Sequence, residues 1–173
     1  MIRTLVMMGP SGAGKSTVGA ATARKLGVPF FEGDDFHPPG NIARIRRGEG
    51  LSDEDRIPWL DAIGSAIGRC PSTACVLACS ALNRRVRERL ARVLPGPALF
   101  LLIDVPEAEL RRRLRARRGH VAGPELLASQ LASMDDAPDV TRLDGLRGVD
   151  ALAREAAATF NAAGGLARKS REQ

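Results

Sequence analysis

The 173-residue chain has no tyrosine, one tryptophan and five phenylalanines, so aromatics make up only 3% of it. Proteins that hold single-stranded nucleic acid stack bases on aromatic faces. This chain lacks that means, although its formal net charge is +6. Lysine is scarce too: only Lys15, Lys25 and Lys169 are present, against twenty-three arginines, many of them within 84–92 and 111–118. Arginines packed this way suit charged surface helices, and no nucleic-acid reading motif accompanies them. No nucleic-acid partner is expected. The three cysteines, Cys70, Cys75 and Cys79, are odd in number and have no C-x-x-C spacing, which excludes a disulfide framework and leads us to expect free thiols. No apolar run approaches the roughly eighteen residues of a membrane span, and the first strand begins too early to leave room for a signal peptide, so a soluble, cytoplasmic protein without a membrane partner is expected. The length and a hydrophobic content of 44% suit one core and one domain.

What the chain does have is concentrated near its start. Thr4–Met8 is a short apolar run of the kind buried as a parallel strand, and it leads into Gly9-Pro10-Ser11-Gly12-Ala13-Gly14-Lys15-Ser16-Thr17. This stretch satisfies G-x-x-x-x-G-K-[ST] in full. The glycines let successive backbone N–H groups curl around a phosphate, Lys15 reaches the outer phosphates, and the Ser16 hydroxyl is a magnesium ligand. A helix over 16–26, stopped by Gly27, adds its positive end. A nucleotide such as ATP, with Mg2+, is the expected ligand.

Strands and helices alternate beyond this point, which predicts a parallel sheet with helices on both faces. A second strand is read at 28–32, a third at 73–78, a fourth at 98–104 and a weak fifth at 140–143. Helices are read after Ser52, which starts one with a capping-box pattern, and over 83–93, 107–117, 125–134 and 149–160. Pro58 is expected in the first turn of its helix or at a break. The stretch 118–124, with glycines at both ends, reads as a hinged lid, and 163–173 as a frayed tail. Asp104 ends a strand that imitates a metal-binding motif, but a helix-capping aspartate accounts for it better.

Several of these stretches resemble the bacterial gluconate kinases, small members of the shikimate-kinase and adenylate-kinase group. The resemblance rests on the phosphate loop, on Glu32-Gly33-Asp34-Asp35-Phe36-His37-Pro38 with Asn41-Ile42, and on Leu51-Ser52-Asp53-Glu54-Asp55-Arg56-Ile57-Pro58-Trp59-Leu60. Cys79-Ser80-Ala81-Leu82, Leu114-Arg115-Ala116-Arg117-Arg118-Gly119-His120 and Leu126-Leu127-Ala128-Ser129-Gln130 add to it. It covers roughly residues 3–162. Three positions depart from the family pattern: Asn83 stands where lysine is usual, Glu32 where aspartate is usual, and 134–138 differ from the usual Leu-Glu-Pro-Pro stretch.

The resemblance implies an α/β, three-layer fold with five parallel strands in the order 2-3-1-4-5, one kinase domain over 1–162, and a homodimer. It also implies transfer of the ATP γ-phosphate to the C6 hydroxyl of D-gluconate. By the same similarity, Asp34 orients or deprotonates the acceptor hydroxyl and Glu32 assists Mg2+. Because side chains alternate along an extended strand, Glu32 and Asp34 are expected to share a face while Asp35 faces away. His37, Arg56, Arg87 and His120 are the expected gluconate contacts, arginine being suited to a carboxylate, with Arg44 and Arg47 as further candidates. Arg117 is expected to close over the phosphates, and Arg111, Arg112, Arg113 and Arg115 to be ordinary helix surface. The alternatives are a kinase of another small hydroxy acid such as shikimate, or a nucleotide-binding regulator.

Overall fold

The computed structural model describes residues 1–116 and 124–169. Residues 118–123 of the expected lid, with His120, and Arg117 just before it lie outside the described residues, as do the last four of the tail, while the lid's final residue, Pro124, begins a helix.

The first strand, β1 (Arg3–Met8), leads through the phosphate loop into α1 (Lys15–Leu26), which stops at Gly27 in the left-handed conformation. Then come β2 (Phe30–Glu32), a single 3₁₀ turn (Gly33–Phe36), α2 (Pro39–Arg46) and α3 (Asp53–Gly68). They are followed by β3 (Ala74–Ala78), α4 (Arg84–Val93), β4 (Ala98–Asp104), α5 (Glu107–Ala116), α6 (Pro124–Ser133), β5 (Thr141–Asp144) and α7 (Val149–Lys169). All strand pairs are parallel and the order is β2-β3-β1-β4-β5, as the resemblance implied.

Alternation along the strands sorts the core into two layers. Val6 and Met8 of β1, Leu77 of β3 and Leu102 of β4 face Trp59, Leu60, Ile63 and Ile67 of α3 and Leu90 of α4. Leu5 and Met7, Val76, and Leu101 and Ile103 face the other way, onto Val18 of α1, Leu110 of α5, Leu127 of α6 and Phe160 of α7. A sheet covered on both faces has no solvated side, which is why β1, β3 and β4 are continuous apolar runs. Full burial of one such aliphatic side chain stabilises the fold by about 1.5–3 kcal/mol.

Four local expectations are corrected. First, α3 starts at a capping box in which the Ser52 Oγ accepts from the Asp55 N–H (3.1 Å) and the Asp55 carboxylate accepts from the Ser52 N–H (2.8 Å). The helix nevertheless runs straight through Pro58, so this proline sits neither in the first turn nor at a break. Burial of Trp59, Leu60 and Ile63 immediately beyond it outweighs one lost backbone bond. Second, α7 continues past Phe160 to Lys169, through part of the expected tail; Ala162, Ala163, Leu166 and Ala167 are good helix formers that carry the helix past the glycine pair. Third, the weak fifth strand forms because Thr141–Asp144 finds a full parallel register on β4. Fourth, Asp104 is not a cap: its carboxylate accepts from the Arg142 guanidinium (3.0 Å), tying β4 to β5.

Candidate active site

The order of strands reverses at β1, between β3 and β4, and the crevice beyond the strands' C-terminal ends at such a point is where open α/β sheets take ligands. The phosphate loop fills this position. Gly14 caps α1 with φ of 99°, a left-handed conformation that an L side chain resists, and it aims the first N–H groups of α1 back into the loop. The Lys15 Nζ donates to the Pro10 carbonyl (3.2 Å), folding the ammonium over the loop's own mouth.

Beside the loop, β2 delivers Glu32, whose carboxylate is hydrogen-bonded to Ser16. Burial pushes the Glu32 carboxyl above its usual range and the nearby Asp34 charge adds to this, while the Ser16 bond and Lys15 pull it back. The chain then turns at once. Gly33 lies so close to β3 that a Cβ there would sit 2.4 Å from the Ala78 carbonyl oxygen, so only glycine fits. The 3₁₀ turn that follows cancels the strand alternation expected for 32–35. Both Asp34 and Asp35 therefore border the cavity. Asp34 remains the one coupled to Glu32, through a backbone hydrogen bond and its charge.

Trp59 of α3 fixes this turn from beneath. Its Nε1–H donates to the Gly33 carbonyl (2.7 Å), and its indole stacks on His37 with ring centroids 4.1 Å apart. The buried His37 Nδ1 has no hydrogen-bond partner within the described residues. Burial lowers the His37 pKa; Asp34 opposes the shift and Arg56 adds to it, which leaves the ring neutral at pH 7. Arg56 itself donates to Asp53 Oδ1 (2.9 Å) at the cavity's edge.

Together these groups line one cavity of about 540 Å³, running from Ser11, Lys15 and Ser16 at the loop to His37, Arg56 and Trp59 at the far end. The β3–α4 connection forms another wall. There Ala81, fully buried, is held at φ of 45°, a strained setting for a non-glycine residue that persists only where its surroundings fix it. This turn presents Ser80, whose carbonyl accepts from the Gly9 N–H (3.2 Å), together with Leu82 and Asn83. Asn83 caps α4 by accepting from the Val86 N–H (3.0 Å). Cys79 lies behind the wall, its thiol pushed up to about 12 mainly by burial, and so is inert as a nucleophile.

The structure brings Lys15, Ser16, Glu32, Asp34, His37 and Arg56 together. It separates Arg87 from them. That guanidinium is only 5% exposed and donates to both oxygens of Asp135 (2.9 and 3.2 Å), in a different hollow between α4 and the 135–139 loop. The pairing with Asp135 leaves no mark in the sequence because it spans 48 positions. Arg44 and Arg47 also point elsewhere, Arg44 to Asp55 and the Gly50 carbonyl, Arg47 to Glu49. Their neighbour Arg46 borders the cavity instead.

Two contributions escaped the sequence reading. Arg113 is not plain helix surface: it donates to the Ala13 carbonyl (3.3 Å) and the Gly145 carbonyl (2.8 Å) while Glu109 holds its Nε (2.8 Å). It thereby braces the outer side of the phosphate loop, where a second groove of about 320 Å³ opens between Gly14, Thr17, Gly145 and Val149. The other is Gln130 of α6, whose Oε1 accepts from the Ser11 N–H (2.8 Å). Among the described residues there is no cluster of three or more His, Cys, Asp or Glu side chains that could hold a metal, and no helix is long and apolar enough to cross a membrane.

The family described as "AAA domain" matches residues 5–138. The chain is 41% identical over 166 residues to a gluconokinase of Gluconobacter oxydans (strain 621H), covering 92% of both chains. It is 34% identical over 148 residues to the thermosensitive gluconokinase of Escherichia coli (strain K12), covering 82% of this chain and 78% of that one. A solved structure of a gluconokinase from Sinorhizobium meliloti 1021 superposes with a TM-score of 0.83 at 38% identity, covering 96% of this chain and 97% of that one. A phosphate loop, an adjoining acidic turn and a histidine–arginine chamber, on a chain this similar to named gluconokinases over nearly its whole length, place it in the gluconokinase family.

Proposed function

We propose that this chain is a gluconokinase, transferring the γ-phosphate of ATP to the C6 hydroxyl of D-gluconate. The observation that carries the reading is the continuity of the cavity: Lys15 and Ser16 of the phosphate loop share one chamber with His37 and Arg56, whose chemistry suits hydroxyls and a carboxylate. Phosphoryl transfer needs little beyond alignment and charge stabilisation, and a chamber of this kind supports both.

In this reading the loop amides and Lys15 hold the β- and γ-phosphates, and the groove bordered by Thr17, Gly145 and Val149 takes the base end of the nucleotide. The hydroxyl of Ser16 and the carboxylate of Glu32 are hard oxygen donors already hydrogen-bonded to each other, a pair that suits Mg2+ bound through one or two protein oxygens with phosphates completing its shell. When bound, Mg2+ would neutralise phosphate charge. Asp34 orients the C6 hydroxyl and accepts its proton. The Nδ1 of His37, without a partner among the described residues, serves a sugar hydroxyl, and Arg56, with Arg46 on the same cavity wall, faces the carboxylate. Arg117 and His120 complete the reading from the lid segment, Arg117 over the phosphates and His120 on the sugar acid. A homodimer in the cytoplasm is part of the same proposal, supported by the family likeness.

ADP release measured with D-gluconate beside shikimate tests it. Turnover with gluconate exceeding that with shikimate by orders of magnitude is expected, because buried polar groups left unpaired reject the wrong acceptor strongly. Nucleotide binding with no acceptor-dependent ADP release would overturn the reading in favour of a regulator.

A further inference from the structure

Helix α6 carries Leu126, Ser129, Gln130 and Ser133 at helical spacings of three, four and seven, and all four border the cavity. The helix is pressed against the connection between α2 and α3, since a Cβ added at Gly50 would come within 2.7 Å of the Ser129 Oγ. So α6 forms the roof of the chamber that His37 and Arg56 floor. Gln130 is the point at which this roof touches the phosphate loop.

The chemistry fixes the orientation of its amide. The Ser11 N–H can only donate, so the Gln130 atom facing it at 2.8 Å is the carbonyl oxygen. The NH2 group, with two donors and no acceptor capacity, is then the other arm of the same rigid plane. Donors suit a ligand made of hydroxyls and a carboxylate. Ser133 holds the helix backbone at this point, its Oγ donating to the Gln130 backbone carbonyl (3.0 Å).

We infer that Gln130 is a positioning residue that links acceptor occupancy to the phosphate loop: its Oε1 holds the Ser11 N–H while its Nε2 donates to an oxygen of the polyhydroxy-acid acceptor. A single planar group bonded at both ends cannot shift at one without the other. An acceptor that grips the NH2 arm therefore sets the Ser11 amide, and with it the loop that receives the nucleotide phosphates. By linkage the effect is reciprocal, and each ligand tightens the other by one common factor. The inference rests on the gluconokinase reading above.

The test is the affinity of the wild-type chain for a non-hydrolysable ATP analogue with Mg2+, by titration calorimetry, with and without saturating D-gluconate. Gluconate is expected to tighten the analogue by about fivefold or more, the lower end of ordinary coupling between sites. In Gln130→Met, of similar length and without polar atoms, this factor falls below about twofold, a near-complete loss on the same scale. Gln130→Glu keeps an oxygen for Ser11 but has no NH2 donors, so its factor falls as well, and it serves independently should the methionine variant fold poorly. An undiminished factor in either folded variant overturns the role of Gln130. Gluconate-dependent ADP release in the wild type with no tightening of the analogue overturns it too. Absence of both gluconate turnover and gluconate binding heat overturns the acceptor reading itself, a separate outcome.

Discussion

The indole of Trp59 stacks on the imidazole of His37, 13° from parallel, while its Nε1–H donates to the Gly33 carbonyl at 2.7 Å. One buried side chain thus holds both the turn that carries Asp34 and the ring at the end of the chamber away from the phosphate loop. Trp59→Phe keeps an aromatic under His37 but leaves the Gly33 carbonyl without its donor. The expected cost is about 1–3 kcal/mol of stability, the penalty of an unsatisfied buried polar group, with a raised KM for gluconate. Urea unfolding followed by circular dichroism checks the first part, and steady-state kinetics the second.

His37 gives the fold a signed pH dependence. Its folded pKa is lowered by burial, with Arg56 adding to the shift and Asp34 opposing it, from the ordinary 6.5. As pH falls below 6.5 the unfolded chain binds a proton that the folded one refuses, so the neutral ring's contribution, complete above 6.5, is lost as pH falls toward the lowered folded value. The stability difference between wild type and His37→Gln should therefore narrow between pH 7.5 and 5.5. NMR titration of the ring provides the direct check, and an inflection at or above 6.5 contradicts the argument.

Lys15→Ala should leave the fold intact, since this side chain reaches over the loop and adds nothing to either core layer. Turnover should fall by at least about 10²–10³, the usual cost of removing one group that meets developing charge. A folded Lys15→Ala chain with near wild-type turnover would exclude a role for the loop in phosphoryl transfer.

What the sequence discloses here follows from range. The phosphate loop, α1 and the paired core layers depend on neighbours within a few positions, so glycine placement and apolar runs reveal them. The Ser11–Gln130 and Arg87–Asp135 contacts span 119 and 48 positions and leave no local pattern, which is why Arg87 was assigned to the sugar acid and Gln130 had no role. Arg113 misled for a related reason: its i,i+4 ion pair with Glu109 is what an exposed helix would also show. The error at 32–35 was of another kind. Alternation along a strand holds only while the strand lasts, and the close approach of Gly33 to Ala78 ends it one residue after Glu32.

Asp135 is the structural counterpart of that misassigned arginine. It accepts from the Arg87 guanidinium, the Arg84 N–H and the Ala137 N–H, and so joins α4 to the end of α6. Asp135→Ala leaves the buried Arg87 guanidinium only the Asp139 carboxylate (3.8 Å) and the Ala81 carbonyl (3.5 Å), for which about 1–3 kcal/mol of destabilisation is expected. Arg87→Met, which removes the charge and retains volume, should cost less. Urea unfolding of both variants decides it, and equal losses would show that the pair is no more than packing.

The two adjacent aspartates pose the sharpest test of the site. With strand alternation gone, both border the cavity, and their roles must be told apart by what surrounds them. Asp34 is coupled to Glu32, its charge acts on His37, and it reaches Cys79 behind the β3–α4 wall. It therefore sits between Glu32 and His37, where the acceptor hydroxyl of the proposed reaction must lie if it is to meet the γ-phosphate. Asp34→Asn keeps size and removes the proton acceptor, so kcat should fall by roughly 10²–10⁴ with KM for ATP little changed. Asp35→Asn should stay within about tenfold of wild type, about 1.4 kcal/mol in the barrier. Both variants assayed for kcat and KM with gluconate settle the assignment, and a greater loss of kcat in Asp35→Asn would mean that Asp35, the third residue of the turn, carries the acceptor hydroxyl.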